Sequence, residues 1–204
     1  MNFFERKSES SSSRTASGSR SSTSTTPLSS RERSARIRRL QDLALASLPV
    51  RGLFIVLWIR SDPPGPNDFH WGLYFHRSGT DGGTKYHITN LSRGWINDHG
   101  STKGVFKSSF LCVLIQIATI PLQAVVQMDG IARSKDRELN QIPGLTCRVW
   151  VMQIIAILRA NSLVKCGDIN ALQNEIFQIG NRYRFGAINN DQPRPVTRSQ
   201  LCQL

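Results

Sequence analysis

Three residues have side chains that together could carry out nucleophilic catalysis: Cys147, His70 and His87. Cys147 follows a Pro- and Gly-containing segment and begins an apolar stretch that predicts a helix, so its sulfur is expected at a helix N-terminus. The helix dipole and nearby backbone N–H groups favour thiolate there, the nucleophilic form of cysteine. A histidine within hydrogen-bonding reach would complete a nucleophile–base pair. These residue types therefore predict attack on a carbonyl carbon.

The two histidines are predicted to lie on neighbouring strands of one hairpin. His70 begins the aromatic-rich segment 70–76, and His87 lies in the segment 84–89. The Gly-rich residues 78–83 between these segments have the composition of a hairpin loop.

Other residues are reserves or have ordinary structural interpretations. His76 shares the strand parity of His70, and the pair Asp98–His99 could supply a third polar group. Each candidate could equally be structural, because a free cysteine usually behaves as a small buried hydrophobe and a strand histidine can simply be a satisfied polar group. Cys112 and Cys166 are interpreted as structural. None of the four cysteines lies in a CxxC pair, so no zinc site is predicted, and reduced thiols are expected.

The segments His70-Trp-Gly-Leu-Tyr and Tyr86-His87-Ile and the helix-starting Cys147 resemble the lecithin retinol acyltransferase-like family of permuted papain-like proteins. The resemblance covers roughly residues 54–157. It implies an α+β fold in which a small antiparallel sheet packs against a central helix bearing Cys147. It also implies Cys147 as the nucleophile, His70 as the base and His87 as the group that orients the base.

The elements that must position these residues follow from apolar periodicity and from Pro, Gly and capping signals. Strands are predicted at 53–59, 104–107 and 110–117, besides the hairpin. Helices are predicted at 34–48, within 129–140 and at 147–160 with Thr146 as its cap. A further helix is predicted at 168–179, with Asp168 as its cap and Gly180 as its end.

Charge and composition divide the 204 residues into three parts. Residues 1–39 are rich in Ser and carry nine Arg or Lys against three Glu, which gives +6, half of the chain's +12. We expect this tail to be disordered, because it has little apolar surface to bury. Residues 40–185 form one predicted α+β domain, and residues 186–204, with two prolines among the last fourteen, a loose C-terminal tail.

The basic tail predicts an anionic partner, although a solvated linker is the simpler interpretation. No secretory signal is recognisable, and the longest apolar stretch, 110–126, falls short of the ~20 residues that cross a bilayer. We therefore expect a cytoplasmic protein without a transmembrane segment, with a nuclear location as the alternative.

The leading functional hypothesis is a cysteine-dependent hydrolase or acyl transferase acting on an amide, peptide or ester carbonyl. It requires no cofactor and no metal, and it leaves open whether the substrate is a peptide, a lipid or another acyl compound. Two alternatives stand beside it. One is a non-catalytic binding or regulatory module on the same fold, and the other is nucleic-acid binding through the basic tail.

Overall fold

The computed structural model of the chain describes residues 29–91 and 94–204, and these form an α+β domain, as predicted. The helices are α1 (Ser30–Ala46), α2 (Val125–Ala132), α3 (Cys147–Ala160) and α4 (Ile169–Ile188). The strands are β1 (Gly52–Ile59), β2 (Phe69–Ser78), β3 (Gly82–Tyr86), β4 (Ile88–Asn90), β5 (Trp95–Asn97), β6 (Gly100–Thr102), β7 (Leu111–Thr119), β8 (Lys165–Cys166), β9 (Val196–Arg198) and β10 (Cys202–Gln203). Three-residue 3-10 turns occur at Val105–Lys107, Leu122–Ala124 and Leu139–Gln141.

The six-stranded main sheet is built around β1. Its strand order is β6-β3-β2-β1-β7-β9, and every residue of β1 is buried. A strand that is apolar on both faces needs a covering layer on each side. The sheet is mixed, because β9 runs parallel to β7 while the other pairs are antiparallel. The small antiparallel sheet expected from the sequence is therefore larger and carries one parallel edge strand.

Two apolar clusters lie on opposite faces of the sheet. Leu53, Ile55 and Leu57 of β1 belong to the larger cluster, which includes the buried residues of α3 and α4. The alternate residues Phe54, Val56 and Trp58 point to the other face. The smaller cluster on that face includes Leu45 and Leu48 at the end of α1. The domain thus has three layers: α1, the sheet, and the pair α3 and α4.

Helices α3 and α4 begin at the caps that the sequence predicts. The Thr146 hydroxyl accepts a hydrogen bond from the backbone N–H of Val149 (3.1 Å), and the Asp168 carboxylate accepts one from Asn170 (2.8 Å). Over the described residues, no helix combines the length and the apolar character that a membrane span requires.

Gly180 does not end α4, which was predicted to stop there but continues to Ile188. A Cβ atom at Gly180 would lie 2.7 Å from Cδ1 of Leu57 and 2.8 Å from Cε2 of Phe69. The glycine therefore serves close packing of α4 against the sheet rather than helix termination. This contact joins distant parts of the chain, so it leaves no local signal.

Helix α1 begins four residues before the predicted start and includes part of the segment expected to be disordered. The Ser29 hydroxyl accepts from the N–H of Glu32 (3.3 Å), and the Glu32 carboxylate accepts from the N–H of Ser29 (2.8 Å). This reciprocal capping box stabilises the first turn without help from the domain. Residues 30–39 are thus helical, whereas residues 1–28 of the predicted tail lie outside the described residues.

The segment 186–204, predicted to be loose, is held by the buried side chain of Arg194. Its guanidinium donates to the carbonyl oxygens of Leu111 (3.0 Å), Cys112 (2.8 Å) and Tyr183 (3.0 Å). A buried cation is tolerated when its donors are satisfied in this way. Arg194 thereby connects β7, α4 and β9.

Two shorter predictions also differ from the structure. Residues 104–107, predicted as a strand, contain a 3-10 turn at Val105–Lys107. The short helix predicted within 129–140 is α2, which starts earlier and ends at Ala132. The predicted range 129–140 has only Ile131, Ala132 and Leu139 as apolar residues, so periodicity defines that element poorly.

The two helical glycines Gly180 and Gly130 predict opposite effects of alanine. Gly180→Ala should lower the free energy of unfolding by about 1–3 kcal/mol, because the added methyl group overpacks the interface with the sheet. Gly130→Ala in α2 should raise it by about 0.5–1 kcal/mol, since a Cβ there meets nothing within 4 Å and alanine favours the helix. Urea denaturation of both variants measures the two values. Equal effects would contradict the packing role of Gly180.

Candidate functional site

The predicted hairpin brings His70 and His87 into direct contact. Nε2 of His70 lies 2.9 Å from Nδ1 of His87. His70 is the register partner of Trp58, so both side chains point to the same face of the sheet, and the indole packs against both imidazoles with centroid distances of 5.5 and 6.0 Å. Gly72 makes room for the pair, because a Cβ there would lie 3.0 Å from Cβ of His87.

Asp98 extends this pair into a chain of three polar groups. Its carboxylate lies 3.0 Å from Nε2 of His87, but the two atoms do not have hydrogen-bond geometry, so the contact is electrostatic. The Asp98 side chain is 58% exposed, and His70 is half-buried at the other end. The chain therefore reaches solvent at both ends.

Burial lowers the pKa of both histidines. For His70 the pKa falls to about 4 because of burial and of the cations Arg60 and Lys85. For His87 it also falls to about 4, through burial, Lys85 and the neighbouring His70. Both imidazoles are neutral at neutral pH, when they can pass a proton but carry no charge.

The two residues of the reserve pair make separate contacts. Asp98 faces His87, whereas His99 contacts the backbone of His87 and the side chain of Asp136. Nδ1 of His99 accepts a hydrogen bond from the backbone N–H of His87 (3.2 Å), which leaves the ring proton on Nε2 to face the carboxylate of Asp136 (3.0 Å). The ring also packs on Trp150 of α3 at 5.7 Å. His99 therefore connects the strand region of His87 to α3 and has a structural environment. His76, the other reserve, is fully buried beside the hydroxyl of Tyr74 (3.2 Å).

Cys147 is the first residue of α3, as predicted, but the sheet separates it from the histidine pair. The thiol is buried in the larger apolar cluster, on the face that α3 and α4 cover. Trp71 points to that face and contacts Phe177 of α4, so the preceding residue, His70, points to the opposite one. The structure thus brings together His70 and His87 and does not bring Cys147 to them.

The remaining cysteines are also buried. The thiol of Cys112 donates to the carbonyl oxygen of Gly180 (3.5 Å), and Cys166 faces Cys202 across the strand pair β8 and β10. Within residues 29–91 and 94–204, no group of three or more His, Cys, Asp or Glu side chains is arranged to hold a metal ion.

A second candidate site is the N-terminal half of α1, which carries five arginines within nine residues. All five are exposed, namely Arg31, Arg33, Arg36, Arg38 and Arg39. Successive positions turn by 100°, so these side chains spread over about 220° of the helix circumference. The remaining side carries Ile37, Gln41 and Leu45. The buried side chains of α1 are Gln41 and Leu45, which lie in its C-terminal half. The helix predicted at 34–48 included Arg36, Arg38 and Arg39. The earlier start that also makes Arg31 and Arg33 helical was missed, although Ser29 and Glu32 have capping-box spacing.

The histidine pair predicts that the protein loses stability in mild acid. Each ring has a pKa of about 4 in the folded protein and about 6.5 when unfolded, so only the unfolded chain takes up these protons between those values. The free energy of unfolding should be independent of these rings above about pH 6.5 and fall as pH drops towards 4. His87→Gln should make this fall shallower by up to about 1.4 kcal/mol per pH unit. Denaturation at several pH values measures it, and an unchanged slope would contradict the burial effect.

The burial of Cys147 predicts a structural response to mutation. Cys147→Ala should lower the free energy of unfolding by about 1 kcal/mol, because it removes packed apolar volume. A thiol-directed acyl probe should not label Cys147 in the folded protein. Cys112→Ala, which empties a similarly buried position of β7, is the matched control and should cost about as much. Probe labelling that depends on Cys147, with stability unchanged by its substitution, would contradict this assignment.

Comparison with other proteins gives no relative for the chain. No family model matches the sequence, and neither the curated proteins nor the solved structures contain a significant match. Function is therefore inferred from the side chains described above.

Proposed function

We propose that this chain is a binding module, not a Cys147-dependent enzyme, and that it attaches to double-stranded nucleic acid through the N-terminal half of α1. The observation that carries the proposal is the set of five exposed arginines around residues 31–39 of a helix anchored to the domain.

The separation of thiol and imidazole favours binding over catalysis. A nucleophilic cysteine needs a base within hydrogen-bonding reach. His70 and His87 hydrogen-bond to each other on the other face of the sheet, and Cys147 is buried among apolar side chains. These imidazoles cannot take a proton directly from the Cys147 thiol, so the geometry does not favour the hydrolase or transferase hypothesis.

The charge of α1 favours a polyanion as the partner. Residues 30–39 hold five Arg and one Glu, which is +4 over about 15 Å of helix. Arg36 and Arg39 lie at three-residue spacing, where like charges repel. Phosphates placed between them would relieve this repulsion, and guanidinium groups bind phosphate oxygens in pairs.

The distribution of the arginines favours nucleic acid over a membrane surface. A helix that lies on a membrane needs an apolar face opposite its basic face. Residues 30–36 contain no large apolar side chain, and the arginines of residues 31–39 cover about 220° of the helix circumference. A major groove about 12 Å wide accepts a helix and offers phosphates on both walls, which suits such an arrangement.

The rest of the domain fixes this helix in space. Leu45 is buried in the cluster between α1 and the sheet, and Asp42 pairs with Lys107 (3.1 Å) next to the 3-10 turn at Val105–Lys107. The basic half therefore projects from a rigid base, which lowers the entropy lost on binding.

Neutralising part of α1 should weaken binding to DNA and reduce its dependence on salt. The variant carrying Arg31→Gln, Arg36→Gln and Arg38→Gln should lose up to three phosphate contacts. The slope of log K against log salt should then become shallower by up to about 3. Fluorescence anisotropy with a labelled 20-base-pair duplex, from about 50 to 200 mM salt, measures both quantities.

A charge-matched variant separates this site from general attraction by a basic protein. Arg77→Gln, Arg137→Gln and Arg159→Gln remove the same charge from exposed positions elsewhere in the domain and should leave the slope nearly unchanged. Equal loss in the two variants would refute the assignment to α1. Binding to anionic vesicles without binding to the duplex would refute nucleic acid as the partner.

A further inference from the structure

We propose that Cys166 and Cys202 are a disulfide-forming pair, which on oxidation links β8 to β10. The two residues are directly opposite in this antiparallel strand pair. Opposite residues in such a pair have Cα atoms about 4.5–5.5 Å apart, within the roughly 4.4–6.8 Å that a disulfide spans. Each thiol also contributes to the pKa shift of the other, so the two side chains are close and bond formation needs little movement of the backbone.

The surroundings of the pair indicate which thiol reacts first. Cys166 borders an open cavity of about 410 Å³ that is also lined by Arg159 and Lys165. These cations favour an anionic reagent, such as oxidised glutathione, beside the Cys166 sulfur. Burial raises the pKa of both thiols, that of Cys202 to about 11, but Cys202 does not line this cavity. Cys166 is therefore the entry point and Cys202 the resolving thiol.

The oxidation consists of two thiol–disulfide exchanges. The thiolate of Cys166 attacks one sulfur of oxidised glutathione, which breaks its S–S bond, releases one glutathione thiolate and leaves a mixed disulfide on Cys166. The thiolate of Cys202 then attacks the Cys166 sulfur and displaces the second glutathione. Two electrons pass from the protein thiols to glutathione, and the two thiol protons end on the two released glutathione molecules.

The new bond would close a loop around the edge of the domain. The segment from Cys166 to Cys202 contains α4, the buried Arg194 and the parallel edge strand β9. In the reduced protein, β8 and β10 are only two residues long each, so their pairing involves just two register pairs. A covalent link there would restrict the unfolded chain and stabilise the folded one. This inference is independent of nucleic-acid binding by α1.

The test compares the full chain after equilibration in reduced and in oxidised glutathione. Trypsin places the four cysteines in four separate peptides, with Cys166 in residues 166–182 and Cys202 in residues 199–204. Mass spectrometry of the oxidised sample should find these two peptides joined, with the loss of two hydrogen atoms. The melting temperature should rise on oxidation, by an amount on the order of 5–10 °C.

Matched variants decide whether this pair alone is responsible. In Cys166→Ser and Cys202→Ser the rise on oxidation should disappear, whereas in Cys147→Ser it should persist. Each rise is measured within one variant, so a lower baseline stability does not affect the comparison. Glutathione left on Cys166 in the wild-type chain, or a joined peptide containing Cys112 or Cys147, would overturn the proposal.

Discussion

The complete burial of β1 is the constraint on which the rest of the structure depends. Eight consecutive buried residues can exist only if the sheet is covered on both faces. Helices α3 and α4 cover one face and the end of α1 covers the other, together with Phe106 and its neighbours. The close approach at Gly180 and the carbonyl contacts of Arg194 are parts of the same solution, because they bring α4 and the end of the chain tightly against the sheet.

This two-sided burial also decides which reactive groups can meet. Side chains alternate across a strand, so a shift of one residue moves a group to the other face of the sheet. On β2 the large indole of Trp71 faces α4, and His70 therefore points away from it. There it meets His87 over Trp58, and the pair is neutral because burial opposes its charge. Cys147 keeps the helix position typical of a nucleophile, but the pair of His70 and His87 lies on the other face of the sheet.

Local signals predicted the elements, whereas long-range contacts decided their lengths and faces. Neighbouring residues in the sequence determine the apolar run 53–59, the hairpin and the cap at Thr146. Each of these features could therefore be predicted. Gly180 has the usual signature of a helix end, but its role depends on side chains more than a hundred residues away. Arg194 looked like part of a loose tail because its acceptors are backbone carbonyls, which any sequence supplies. The candidate residues were recognised by type, while the face that each occupies was not.

The lengths of the strands in the main sheet differ in a way that protects it. The central strands β1, β2 and β7 have eight to ten residues, whereas the outermost strands β6 and β9 have three each. An exposed long edge invites pairing with another chain, and a very short edge offers few free N–H and C=O groups for it. The most apolar segments of the protein are thereby kept at the centre of the sheet. The chain can carry them without presenting a template for aggregation.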